Sequence, residues 1–161
     1  MAKSERERAQ QYICQNKKAR HEYFLEETFE AGLALLGSEV KSLREGKAHL
    51  TDAYAVVENG ELWLLNSHIA EYANASRQNH APRRPRKLLL HRAEIRKLAE
   101  KIDERGFTLL PLGLYFNERG IAKASLALGK GKKHYDKRAD TAKRDAQREM
   151  DRALKSRRSR E

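Results

Sequence analysis

The chain has 161 residues, with 34 Lys and Arg against 23 Asp and Glu, a formal net charge of +11. That length supports one domain with a core that needs no disulfide or metal, and the positive excess points to a polyanionic partner, with nucleic acid ahead of an anionic membrane surface. A single cysteine, Cys14, excludes an internal disulfide, and no secretory leader or apolar 18-residue run is present, which fits a soluble protein of the reducing cytoplasm with no membrane partner.

Residues 1–15 are polar and without strong period, and are expected to form a mobile N-terminal segment. A folded region is expected over 16–128. Its first part, "EYFLEETFEAGLALLG", reads as two strands bent at Gly32 and Gly37. "SEVKSLREG" reads as a short helix with Ser38 as N-cap and Gly46 at its end. "AYAVVENGELWLL" places Asn59-Gly60 between two strand-like runs, the chemistry of a tight hairpin. In the second run Trp63 faces away from Leu62 and Leu64, as in a barrel strand covered from outside.

"PRRPRK" at 82–87 reads as a basic loop broken by prolines. Ile95, Leu98, Ala99 and Ile102 then share one helix face, and Gly106 ends that helix. "FTLLPLGLYF" and "IAKASLAL" read as two further strands, with Pro111 marking an edge or bulge. Strands dominate and the connections are short. The expected fold is mainly β: an OB-fold-like antiparallel barrel with short accessory helices and a basic C-terminal tail, disordered or helical depending on its partner.

The tail, 129–161, holds thirteen basic and six acidic residues, against twenty-one and seventeen before it. Ala142, Ala146, Met150, Ala153 and Leu154 follow helical spacing, but a stripe made mainly of alanine buries little area. Pairs such as Asp140–Arg144 add only ~0.2–0.5 kcal/mol each. The segment is therefore expected to become helical on a polyanionic surface.

Catalytic patterns are missing. "GKGKK" lacks the first glycine and the Ser or Thr of a phosphate-binding loop: Leu126 and Lys133 hold those places. The six histidines have no zinc-ligand spacing, and Glu26 and Glu27 would face opposite sides of a strand. The chain is read as a binding protein without enzyme activity, cofactor or metal.

The cations fall into groups. In "NKKARHEY", Lys17, Lys18 and Arg20 offer phosphate contacts, while His21 and Tyr23 could stack on bases. In "EVKSLREGK", Lys41, Arg44 and Lys47 sit three apart. The third group is Arg83, Arg84, Arg86 and Lys87. Each group alone reads as a solvated surface; three on one small domain read as a nucleic-acid surface. Lys123 stands apart, because Ala122, Ala124, Leu126 and Leu128 share the opposite parity and point inward, leaving Lys123 on the outer face.

Four blocks in order, "NKKARHEYFLEETFEAGLAL", "GSEVKSLREGKAHLTDAY", "PRRPRKLLLHRAEI" and "GKGKKHYDKR", resemble the SsrA-binding protein (small protein B) family. The resemblance runs from about residue 16 to about 155. It implies an OB-type barrel that binds the tRNA-like domain of transfer-messenger RNA (tmRNA) and delivers it to stalled ribosomes for trans-translation. There the protein would stand in for the missing anticodon arm as a monomer. The resemblance adds Glu30 and Leu89 to Lys123, Lys18, Arg20 and His21 on the tmRNA-facing surface. It assigns Lys130, Lys132, Lys133, Tyr135, Asp136, Lys137 and Arg138, with Met150 and Leu154 in the tail, to small-subunit rRNA at the decoding centre and to the mRNA channel. His49 and Ala53 depart from the family pattern, which more often has Asn and Ser there. A ribosomal or rRNA-binding structural protein is the alternative reading, and an RNA-modifying enzyme is disfavoured by the missing motifs.

Overall fold

The computed structural model describes residues 11–75 and 77–158, without the side chains at 104, 105, 134–136, 157 and 158; positions 1–10 of the expected lead-in lie outside the described residues. The chain divides into two compact units after Lys130. The first contains β1 (Tyr12–Gln15), α1 (Lys17–Glu22), β2 (Tyr23–Leu33), α2 (Gly37–Arg44), β3 (Ala48–His49), β4 (Tyr54–Glu58), β5 (Glu61–Leu65), β6 (His68–Ile69), β7 (Arg86–Leu89), α3 (Arg92–Arg105), β8 (Thr108–Phe116) and β9 (Ala122–Gly131), the last ending one residue past the division. The second unit contains α4 (His134–Arg158).

Seven strands form one sheet in the order β1-β8-β4-β5-β7-β2-β9, and β9 pairs again with β8. β9 runs antiparallel along one edge of β8; β4 at Leu109 and β1 at Gly113–Tyr115 share the other edge. The return pairing curls the sheet around one apolar face, which is the mainly β, OB-like architecture expected from the sequence. β3 and β6 form a separate two-stranded ladder.

Side-chain parity explains the core. Leu62 and Leu64 of β5, Leu88 of β7, Leu114 of β8, and Ala124, Leu126 and Leu128 of β9 all point inward and are buried. Ile95 and Leu98 of α3 and Leu43 of α2 join them, so both helices spend their apolar faces on the same core. The β4–β5 hairpin turns at Asn59 and Gly60, both with positive φ (52° and 74°), as their identities required. The register shift between Pro111 and Gly113 is the bulge expected at Pro111, which has no N–H for the ladder.

Several expectations are corrected. Residues 12–15 form β1 rather than a mobile lead-in, because β8 supplies pairing partners from Gly113 to Tyr115 that no local pattern announces. "NKKARHE" forms α1: Asn16 Oδ1 accepts from the Ala19 N–H (3.2 Å), and Asn16 Nδ2 donates to the Pro111 carbonyl at the bulge (3.1 Å). The two strands expected after it are one 11-residue strand, with Gly32 opposite Leu89 of β7. Ser38 is not the N-cap of α2; Leu36 is, with its N–H donating to Glu39 Oε2 (2.9 Å), while the Ser38 hydroxyl pairs with His80 Nδ1 (2.9 Å). β9 continues past residue 128, with Gly129 in register with Thr108. Gly129 and Gly131 thus belong to the sheet, which runs beyond the expected end of the folded region at 128.

Gly113 is required by close approach. A Cβ there would stand 2.5 Å from Cδ1 of Tyr12 and 3.0 Å from the Cys14 carbonyl oxygen. Because the second of these is backbone, rotating the Tyr12 ring alone cannot relieve the clash. G113A is expected to cost ~1–3 kcal/mol through overpacking. Urea unfolding should show a lowered midpoint; a wild-type midpoint would show that β1 yields freely. Cys14, half-buried beside this contact, has its thiol pushed up to about 11 by burial, against a weaker opposing contribution from the Leu114 backbone. At neutral pH it is therefore held as the thiol, not the nucleophilic thiolate.

Candidate nucleic-acid interface

The outer face of the sheet carries a row of side chains that the alternation places together. Tyr12 of β1 pairs with Tyr115 of β8, and Tyr115 pairs with Lys123 of β9. β9 neighbours β2, where Ala31 and Leu33 are buried and Glu30 therefore faces out. β2 pairs with β7 at Gly32–Leu89, which puts Leu89 on the same face, 52% exposed and opposite a β2 residue without a side chain. Glu30, Lys87, Leu89 and Lys123 line one shallow cavity of about 630 Å³. Glu30 accepts a hydrogen bond from the Tyr115 hydroxyl. Among the described residues Lys123 makes no ion pair. The three residues singled out by resemblance thus share one depression, with an anion, a cation and an exposed apolar group on adjacent strands.

The other expected contacts divide. Lys17, Lys18 and Arg20 are exposed on α1, and Lys18 lies 3.6 Å from Asp52, an exposed pair of small energetic weight. His21 is half-buried. Tyr23 packs on a second apolar cluster of Ala19, Leu110, Leu112 and Ala127, which fixes α1 to the sheet. The ring packs there while remaining partly exposed. Lys41 and Arg44 are exposed on α2, with the Lys41 ammonium 5.5 Å from the centre of the Tyr72 ring. Lys47 lies beyond the helix end and pairs with Glu45 at 3.0 Å, so the three-residue spacing does not continue. Lys87 pairs with Glu61 at 3.0 Å at the cavity edge.

Arg86 does not belong to the interface. Its side chain is 0% exposed, as is that of Glu39. Arg86 Nε donates to Glu39 Oε1 (3.0 Å), its NH1 to the Ser67 carbonyl (2.7 Å) and hydroxyl (2.9 Å), and its NH2 to the Pro82 carbonyl (3.0 Å). Arg84 donates to both Glu39 oxygens, each at 2.6 Å. "PRRPRK" is therefore a clamp from the loop and β7 onto α2, with Arg83 exposed beside it. Burial pushes the Glu39 carboxyl up, but the Arg84 hydrogen bonds, the Leu36 N–H and the charges of Arg86 and Arg84 outweigh it, and the net displacement is below the ordinary value. A parity signal existed for this: Arg86 and Leu88 share a side of β7, and Leu88 is core.

His49, at the departure from the family pattern, stacks on His68 across the β3–β6 ladder, ring centres 4.5 Å apart and 7° from parallel. Burial, with the charges of His49, Arg83, Arg86 and His80, holds His68 below its ordinary value.

In the second unit Lys130 lies just before the division, Lys133 and Arg138 are exposed, and Lys137 is half-buried. Lys132 pairs with Asp140, whose carboxyl is held down by that hydrogen bond first and by further cations after it. The side chains of Tyr135 and Asp136 lie outside the described residues. Met150 and Leu154 are 62% and 61% exposed on α4, one turn apart.

Comparison with known proteins places the chain in a family. A model of the family described as "SmpB protein" matches residues 13–156. A protein named SsrA-binding protein from Moorella thermoacetica is 61% identical over 145 residues, covering 90% of this chain and 94% of its own length. Its namesake from Thermobifida fusca is 60% identical over 146 residues, covering 91% of each. A solved chain described under "tmRNA-SmpB: a journey to the center of the bacterial ribosome" is 54% identical, with a TM-score of 0.63, covering 74% of this chain and 84% of its own. The match extends across both units, from β1 into α4, and the chain belongs to the SmpB protein family.

Proposed function

We propose that the chain binds the tRNA-like domain of tmRNA with its outer sheet face and delivers that RNA to stalled bacterial ribosomes for trans-translation in the cytoplasm. The carrying observation is the meeting of Glu30, Leu89 and Lys123 in one depression. Each suits a different part of an RNA. The ammonium of Lys123, which makes no ion pair among the described residues, takes a phosphate. A carboxylate accepts from a base amino group or a ribose 2′-hydroxyl, a group that distinguishes RNA from DNA. Leu89 offers apolar area to a base or sugar. The exposed cations of α1 and α2 extend the electrostatic footprint. This is binding and delivery rather than chemistry.

The tail completes the proposal. α4 presents cations along most of its length together with Met150 and Leu154, a composition suited to an rRNA-walled channel. The barrel then occupies the place of an anticodon arm, and Lys130–Arg138 marks the junction at the decoding centre. Gel-shift titration at several salt concentrations tests the barrel part. K123A should weaken binding to the tRNA-like domain and reduce the slope of log affinity against log salt by about one. An unchanged slope would remove Lys123 from the phosphate contacts.

A further inference from the structure

We infer that Tyr115 is a positioning residue for RNA recognition: its buried hydroxyl fixes the Glu30 carboxylate toward the RNA. This rests on the reading above of Glu30 as an RNA contact. Tyr115 is 2% exposed and held on its flank by Tyr12, edge-on at 5.6 Å and 80°. A buried phenol needs a hydrogen-bond partner, and this ring turns its hydroxyl outward to Glu30. Glu30 is an exposed, flexible side chain that would otherwise lose rotamer freedom on binding. A fixed donor on a rigid ring removes most of that cost beforehand.

The kind of donor matters. Lys123 stands across the ladder from Tyr115 on the strand next to β2 and lines the same cavity as Glu30, a candidate for neutralising it. A neutral phenol takes that place. Glu30 keeps its charge and a second oxygen for an RNA donor, and Lys123 keeps its charge for a phosphate. One neutral hydroxyl thus keeps opposite charges on adjacent strands available to the same ligand. Gly113, which leaves room for Tyr12, supports this geometry from behind.

The test uses the full chain and a transcript of the tmRNA tRNA-like domain, comparing Y115F, E30Q and the double variant E30Q/Y115F by gel shift and thermal unfolding. Y115F should bind about tenfold more weakly, the size expected for a hydrogen bond to a charged group, with its unfolding midpoint and salt slope close to wild type. On the E30Q background Y115F should add little, because the two act as one unit. E30D withdraws the carboxylate from the phenol while keeping its charge, and should mimic Y115F. Wild-type binding by Y115F alongside weakened E30Q overturns the positioning role alone, as does a full additional loss in the double variant. Wild-type binding by E30Q overturns the site reading and the positioning role together.

Discussion

E39Q is expected to destabilise the protein by ~3–5 kcal/mol, the cost of leaving a buried cation without its counter-charge. The substitution keeps the shape of the side chain. It removes the charge that holds Arg86, which is fully buried, and Arg84, which approaches both carboxylate oxygens at 2.6 Å. For a chain of this size each kcal/mol moves the midpoint by about 2–4 °C, so a fall on the order of 10 °C is expected. Replacing Arg86 and Glu39 together by apolar residues of similar volume should restore much of the loss. A midpoint within 2 °C of wild type for E39Q would show that the clamp adds nothing net.

The same carboxylate sets a pH dependence. Its folded value lies below its unfolded one, so its contribution is fully present above the unfolded carboxyl range near pH 4.3. It is lost as pH falls through the folded value. Urea midpoints measured from pH 7 downward should therefore drop more steeply below about pH 4.5 in wild type than in E39Q. Parallel curves would place the acid sensitivity elsewhere.

The second large effect concerns division of labour between the units. A chain ending at Lys133 keeps β9 whole and removes α4. It should retain most of its affinity for the tRNA-like domain and lose tagging on stalled ribosomes. A cut after Leu128 is the wrong experiment, because it removes Gly129 from its pairing with Thr108 and damages the sheet. Within the full chain, Met150→Ala with Leu154→Ala should leave the gel shift unchanged. If these exposed side chains dock on the ribosome, losing both removes about 3 kcal/mol of that engagement, on the order of a hundredfold. Normal tagging by this variant, or loss of RNA affinity in the shortened chain, would break the proposed division.

Much of this was readable along the chain because the determining forces are local. Period two in "IAKASLAL" places Leu126 inside and Lys123 outside whatever the partner strands are. Asn59-Gly60 specifies its own turn through its tolerance of positive φ. Ile95 and Leu98 declare the buried face of α3. Charge alone pointed to a polyanionic partner. The resemblance supplied Glu30 and Leu89, which no count of cations would select.

Other features depend on neighbours far away in sequence. Tyr12–Gln15 is a strand only because the shared edge of β8 is open to it. Tyr23 reads as a free ring in the sequence and is half-buried in the fold, packed with Ala19 of α1 against Leu110 and Leu112. Arg86 illustrates the difference most sharply. In sequence it belongs to a run of cations, the usual mark of a solvated or RNA-binding surface. In the fold its strand parity turns it inward beside Leu88, where Glu39 from a separate helix compensates its charge. The sequence by itself determined the basic character, the strand alternation, the hairpin and the amphipathic α3, since each follows from residues within a few positions of one another. Only the tertiary structure decided which cations remain exposed and which are spent inside, because burial and counter-charge are properties of residues dozens of positions apart.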